Sequence, residues 1–257
     1  MNVVLNEKQH QVRWVTINRP ERKNALNRDT VYALKEALAE GGSDADTRVL
    51  VLTGSGGAFC SGADLRAAPA RPVSPGEDLA EDGFNAVIRT IWNMPKPVIA
   101  AVDGAAVGFG CSLALASDIR LASAAARFSL IFVKRGLTID GGASYFLPRL
   151  AGMRGMEMAF SGDILDATEA ANMGLVNRVL TGDNFREQVS AYADRLAKNA
   201  PLALAAIKTS MHNALGPGLG ETLTAEMAAQ RKLMHSEDVK EGILAFREKR
   251  EPVYTGR

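Results

Sequence analysis

Ala58-Phe-Cys-Ser-Gly-Ala-Asp-Leu65 and Asp103-Gly-Ala-Ala-Val-Gly-Phe-Gly-Cys-Ser112 are the two stretches that decide how this chain is read. Each follows a run that reads as a buried strand, Arg48-Val-Leu-Val-Leu-Thr53 and Pro97-Val-Ile-Ala-Ala-Val102. Each then breaks into small residues, where a backbone can approach a ligand without side-chain obstruction. The second runs straight into an apolar helical stretch, Cys111-Ser-Leu-Ala-Leu-Ala116, so its amide N–H groups stand at a helix N-terminus without intrahelical partners. Two such loops, brought together, can hold a developing oxyanion with backbone donors.

Outward from these loops the pattern repeats. Val3 to Leu5 and Gln11 to Asn18 read as opening strands with a turn around Lys8. Asn27 or Asp29 can cap a helix whose apolar stripe is Val31, Leu34 and Leu38. Strand, glycine loop and helix recur over residues 48–66 and 97–116, and Asp118 to Ala122 is a further short strand. Alternating strands and helices predict an α/β fold. A Rossmann reading fails, because Gly54, Gly56 and Gly57 lack the third spaced glycine, as does the Gly108/Gly110 loop. A serine-hydrolase elbow fails too, since neither Ser55 nor Ser61 has glycine two residues away on both sides. Residues 66–83, with three prolines and Glu77, Asp78, Glu81 and Asp82, read as a long loop. Beyond Ala200 the strands stop. Pro201 fits the first turn of a helix ending near Leu215; Leu223, Met227 and Leu233 suggest one buried face, and Val239, Ile243 and Phe246 another.

Composition narrows the function classes. A chain of 257 residues, 47% hydrophobic, can bury a full core as one large domain or one domain with an appendage. Its net charge of +1 offers no global field for nucleic acid or an anionic membrane. Local basic clusters at Arg19, Arg22 and Lys23, and at Arg247, Lys249 and Arg250, are either ordinary solvated surface or contacts for a phosphate-rich ligand. Cys60 and Cys111 are too few for a disulfide framework and read as reduced, space-filling thiols. The first strand begins almost at Met1, and no apolar run is long enough to span a bilayer, so a soluble cytoplasmic protein is expected. His10, His212 and His235 lie outside every motif, and no metal is expected.

The paired loops resemble those of the crotonase (enoyl-CoA hydratase/isomerase) superfamily. The resemblance runs from Val15-Thr-Ile-Asn-Arg-Pro-Glu-Arg-Lys-Asn-Ala-Leu26 through both loops, Phe128 to Leu150 and Ala167 to Val176, into the tail from Phe246 to Arg257. It implies a ClpP-like α/β spiral of ββα units over residues 1–199, carrying the acyl-CoA site. A C-terminal helical region, 200–257, would build a homotrimer or homohexamer. It also implies a coenzyme A thioester as substrate, with no separate cofactor. Within that pattern the oxyanion donors are the N–H groups of Ala63 and Phe109, the latter framed by Gly108 and Gly110. Hydratases of the family place two glutamates where this chain has Ser112 and Phe132, so the two-carboxylate hydration mechanism is missing its residues.

One acid remains in a useful place, Asp140, in Gly136-Leu-Thr-Ile-Asp-Gly-Gly-Ala-Ser144. Some family isomerases carry a carboxylate at this turn, and the surrounding sequence resembles the 1,2-epoxyphenylacetyl-CoA isomerases. Asp140 can cap a helix starting at Gly141 or act as the base, and the two roles are compatible. The loss of both glutamates favours the base. The resemblance places coenzyme A against Arg22, Lys23, Ala25, Ser61, Asp64 and Leu65, with Lys249 near the phosphates and Gly108 and Phe132 at the acyl pocket. Asp64 has the alternative of capping a helix at Leu65. The expected activity is double-bond isomerisation of an enoyl-CoA. Two alternatives are a hydratase recruiting an acid from residues 77–82 and a non-catalytic acyl-CoA binder.

Overall fold

The computed structural model describes residues 2–66, 83–214, 216, 232, 233 and 235–257. The expected loop at 66–83 lies outside these except at its ends, as do Leu223 and Met227 of the expected helical face.

Among the described residues, a six-stranded sheet has the order β1-β2-β3-β4-β6-β9. These strands are β1 (Val4–Gln9), β2 (Val12–Ile17), β3 (Val49–Gly54), β4 (Val98–Val102), β6 (Ile119–Ser123) and β9 (Arg178–Leu180). Only β1 runs antiparallel to its neighbour; the other pairings are parallel. Parallel strands covered on both faces read as continuous apolar runs, which is why Val49-Leu-Val-Leu52 and Val98-Ile-Ala-Ala-Val102 were visible in the sequence. Alternate residues face opposite ways. Leu50 and Leu52 pack with Leu34 and Leu38 of α1 (Arg28–Ser43) and Ile91 of α2 (Ala86–Asn93). Val49 and Val51 pack with Val189, Ala193 and Ala197 of α7 (Phe185–Ala197) on the other side.

A second sheet, β5 (Ala105–Val107), β7 (Arg127–Ser129) and β8 (Leu165–Asp166), stands beside the first. The chain lays β4 in one sheet and β5 in the other, then forms α3 (Phe109–Ala116). It repeats this with β6 and β7, then reaches α4 (Ala143–Ala151). Earlier turns do the same with single-residue bridges, Leu26 to Ala63 and Cys60 to Ala106. This is the expected spiral of ββα units. Its consequence is that Ala63, Cys60 and β5 lie side by side, and both glycine loops emerge at one end. The spiral continues through α5 (Arg154–Ser161) and α6 (Ala167–Asn172), the latter opened by a capping box between Asp166 and Glu169.

Two local expectations are corrected. The first turn falls at His10–Gln11, with His10 at φ 53°, and not at Lys8. Lys8 stays in β1 because its ammonium lies 3.2 Å from both Asp44 and Asp46, a use for a polar residue on an edge strand. Helix α9 (Glu237–Glu248) buries Asp238 and Ala245, while Ile243 is exposed. Its inward face is set by polar contacts: Asp238 accepts from the N–H groups of Thr255 and Gly256, and Glu241 pairs with Arg250. The side chain of Phe246 lies outside the described ones.

Helix α8 (Pro201–Asn213) begins at Pro201 as the sequence predicts, and none of its residues is fully buried. What ties it to the core is polar. Lys208 Nζ donates to Asp118 Oδ2 at 2.8 Å and to the carbonyls of Ile91 and Lys96. Only 8% of the lysine side chain is exposed. Beside it His212 stacks flat on Trp92 at 3.4 Å, in a cleft of about 430 Å³ between α4 and α8. Asp118→Asn leaves a buried ammonium without its counter-charge. It is expected to lower the unfolding free energy by about 3 kcal/mol, read as a lower urea midpoint at unchanged slope. A midpoint equal to wild type would mean that α8 does not depend on this pair.

Candidate active site

The first loop is held from below by the segment that follows β2. Asn24 is fully buried at φ 56°; its amide donates to the carbonyls of Ser55 and Ala58, and its side-chain oxygen accepts from Arg19 N–H. Arg19 reaches on to Asp64, with Nη2 3.0 Å from Oδ2, and donates to the Ala25 carbonyl. Both charged side chains are largely buried, so this pair clamps the segment to the loop and is not a free phosphate contact. Among the described residues Asp64 caps no helix; its other oxygen accepts from Arg66 N–H at 3.2 Å. Sequence reasoning missed the roles of Arg19 and Asn24, because partners thirty to forty-five residues away leave no local signal.

Strand-like pairing then aims the loop. Leu26 N–H donates to Gly62 O at 2.8 Å and Asp64 N–H to Leu26 O at 2.9 Å, which turns the intervening N–H of Ala63 to the other side. Cys60 pairs with β5 in the same way, through Ala105 O and Val107 N–H. In the second loop Gly108 adopts φ 57°, ψ −127° and α3 starts at Phe109. Among the described residues, no hydrogen bond uses the N–H of Ala63 or of Phe109. The loops touch at Gly62: a Cβ there, at φ 93°, would lie 2.9 Å from Val107 O and 3.3 Å from Phe109 N. Two backbone donors without a hydrogen bond among the described residues therefore stand where the loops meet, with the positive end of the α3 dipole behind one of them.

The carboxylate comes from the turn before α4. Asp140 precedes Gly141 and Gly142, at φ 58° and 75°, and the helix starts at Ala143 with Gly142 as its N-cap. Among the described residues no hydrogen bond or ion pair engages the Asp140 carboxylate, so the capping role is not observed. The residue is exposed to solvent, yet partial desolvation by its surroundings pushes its pKa up to about 6. A Cβ on Gly141 would lie 2.8 Å from both the Phe109 ring and Ser112 Cβ. The acid turn therefore rests directly on the residue that carries the second donor.

The two positions without glutamates are closed to proton transfer. Ser112 is fully buried, and its hydroxyl lies 3.5 Å from the Gly108 carbonyl in its own helix. Phe132 is buried, with its ring tip 4.0 Å from where a Gly108 Cβ would stand. Phe84 meets the Phe109 ring edge-on at 4.6 Å. These three rings give the site an apolar wall.

The expected coenzyme A residues divide. Arg22, Lys23 and Leu65 are exposed beside the first loop, and Ser61 is half-buried, its hydroxyl donating to Arg22 O. Ala25 is buried. Lys249 sits exposed just past α9, outside the hydrogen bonding that joins the loops. Burial pushes the thiols of Cys60 and Cys111 up to about 12, which leaves them unreactive packing groups. Among the described residues, no helix is long and apolar enough to cross a membrane.

Comparisons with known proteins identify the family. A family model described as enoyl-CoA hydratase/isomerase matches residues 7–257. A probable enoyl-CoA hydratase of Rhodobacter capsulatus is 41% identical over 244 residues, 95% of this chain and 94% of its own. The 1,2-epoxyphenylacetyl-CoA isomerase of Escherichia coli is 36% identical over 261 residues, the full length of both chains. The crystal structure of an enoyl-CoA hydratase from Bacillus anthracis superposes with a TM-score of 0.95 at 31% identity, covering 100% of each chain. Relatives of similar standing thus carry both hydratase and isomerase names. With its fold, its two aligned loops and its full-length relatives in accord, this chain belongs to the enoyl-CoA hydratase/isomerase family of crotonase-fold acyl-CoA enzymes.

Proposed function

We propose that this member is an enoyl-CoA double-bond isomerase that works through a thioester enolate with one carboxylate base. The observation that carries the reading is the Asp140 carboxylate, unpartnered among the described residues and desolvated, on a turn packed against Phe109, while Ser112 and Phe132 stand where a second acid would be needed.

In this reading the thioester oxygen accepts from the N–H groups of Ala63 and Phe109, which favours the enolate over the ketone form. Asp140 takes a proton from the carbon next to the carbonyl. The C–H electron pair delocalises through the 3,4-double bond and onto the thioester oxygen. The same carboxyl then returns the proton two carbons further along, leaving the double bond conjugated at C2–C3. No proton is gained or lost, so one carboxylate is enough. Water addition needs a second group to orient the water, which the 112 and 132 positions do not supply.

Coenzyme A would lie along Arg22, Lys23, Ser61 and Leu65, its phosphates drawn to the exposed cations and to Lys249. The substrate is the thioester itself, with no further cofactor. Exposed apolar residues on the C-terminal helices, among them Ile207, Met211, Ile243 and Leu244, fit a cytoplasmic homotrimer or homohexamer.

The test compares two substrates by ultraviolet absorbance. A 3-enoyl-CoA is expected to gain the absorbance of the conjugated thioester, while a 2-enoyl-CoA is expected to keep it. Rapid loss of absorbance from the 2-enoyl ester would make the protein a hydratase. No turnover, and no solvent deuterium exchange at the α-carbon of a bound ester, would make it an acyl-CoA binder.

A further inference from the structure

Residue 109 contributes more than its backbone. Its side chain is almost fully buried, and the ring is held between two partners: Phe84, edge-on at 4.6 Å, and the Asp140–Gly141 turn. The fit at the turn leaves no room. A methyl group on Gly141 would sit 2.8 Å from Phe109 Cε2 and 2.9 Å from Cδ2. The Gly141 backbone at φ 58° therefore lies directly against the ring, one residue from Asp140. Nothing polar holds that turn from the carboxylate side, because no hydrogen bond among the described residues engages the Asp140 side chain.

We propose that the Phe109 ring is a positioning residue, the strut that fixes the Asp140 turn over the oxyanion donors. This rests on the isomerase reading above. One residue then serves both halves of the reaction, its N–H facing the thioester oxygen and its ring setting where the base stands. Of the described elements packed against Asp140, α3 brings only the buried Cys111 thiol as a titratable group. The 3-10 turn Ile131–Arg135 brings Lys134, paired with Asp163 at 3.0 Å, and Arg135; α4 brings Tyr145 and Arg149. The upward shift of Asp140 has desolvation as its cause, not any of these charges.

The experiment uses Phe109→Ala, with Phe109→Leu as the conservative variant and Phe84→Ala as a milder route should Phe109→Ala not fold. Side-chain carboxyl ¹³C shifts of labelled aspartate are followed through a pH titration, with the Asp140 signal assigned by its loss in Asp140→Asn. The midpoint is expected to fall from about 6 in the wild type towards the ordinary value of about 3.9 in Phe109→Ala, with most of the shift restored by leucine. Phe84→Ala is expected to lower it part of the way. The acid limb of kcat should move with the midpoint, and kcat should fall about 10–100-fold with KM little changed. An unchanged midpoint in Phe109→Ala overturns the proposal, even where kcat falls, because the ring would then serve the donor alone. The titration needs no turnover, so it decides this point even if the protein proves not to be an isomerase.

Discussion

Asp140→Asn is expected to bind acyl-CoA esters as the wild type does and to isomerise a 3-enoyl-CoA about 10²–10⁴-fold more slowly, the usual worth of a positioned general base. The amide is isosteric, so the turn on Phe109 and both backbone donors stay in place while the proton acceptor is gone. In the wild type, kcat/KM should fall as the pH drops below about 6, where the carboxylate takes up its proton. Stability should respond in the opposite direction from that of an ordinary paired acid. The folded pKa lies above the ordinary 3.8, so the native state holds the proton more tightly than the unfolded chain. The ionised carboxylate therefore costs stability at pH 7, and that cost is relieved as pH falls through 6 towards 3.8. Asn is thus expected to leave the protein at least as stable at pH 7. A helix cap would behave in the reverse way, losing stability on substitution and leaving turnover intact. Measuring kcat and the urea midpoint on one preparation separates the two roles. Full turnover in Asp140→Asn would remove Asp140 from the mechanism.

What the sequence made legible is local in character. Buried parallel strands declare themselves as short apolar runs, and Gly108 and Gly62 mark turns whose φ values only glycine adopts freely. Pro201 and Asn27 announce helix starts through chemistry confined to one turn. What stayed hidden depends on partners distant in sequence. Arg19 reads as one of a basic cluster until the fold brings Asp64 to it, and Asn24 shows no role until two carbonyls from beyond β3 surround its amide. The first turn was misplaced because Lys8 owes its place in β1 to carboxylates at 44 and 46. Helix α9 was rotated for the same reason, as Asp238 and Glu241 find their partners in the tail. The helix-capping reading of Asp140 was equally open in the sequence, since position relative to Gly141 cannot say where α4 begins; two glycines in the left-handed region delay the start to Ala143.

Gly110→Ala is expected to cost about 10²–10³ in kcat without touching any acid or base. Gly110 is the second residue of α3, and a Cβ there would stand 2.0 Å from Cys60 O and 2.7 Å from Cys60 C. Those are backbone atoms, so no rotamer change relieves the clash. Cys60 cannot turn aside either, because its N–H and C=O are both committed to β5. The remaining way out is for α3 and the first loop to part. That carries Phe109 N–H away from Ala63 N–H, and a misplaced oxyanion donor costs about 2.7–4 kcal/mol in the transition state. Stability will fall as well, by the usual overpacking cost of about 1–3 kcal/mol, so a control must separate the effects. Gly57→Ala provides it. Gly57 sits at φ 74° with nothing within 4 Å of a new Cβ, so alanine there costs about 1–2 kcal/mol of backbone strain but moves neither loop against the other. Gly57→Ala should therefore lose stability and keep its kcat, while Gly110→Ala loses both. Binding of a planar, enolate-like inhibitor should weaken in Gly110→Ala by more than binding of the ground-state ester, because only the enolate oxygen demands both donors at once. If Gly110→Ala instead turns over like Gly57→Ala, the close contact of the two loops is a packing feature, and the oxyanion must be held elsewhere.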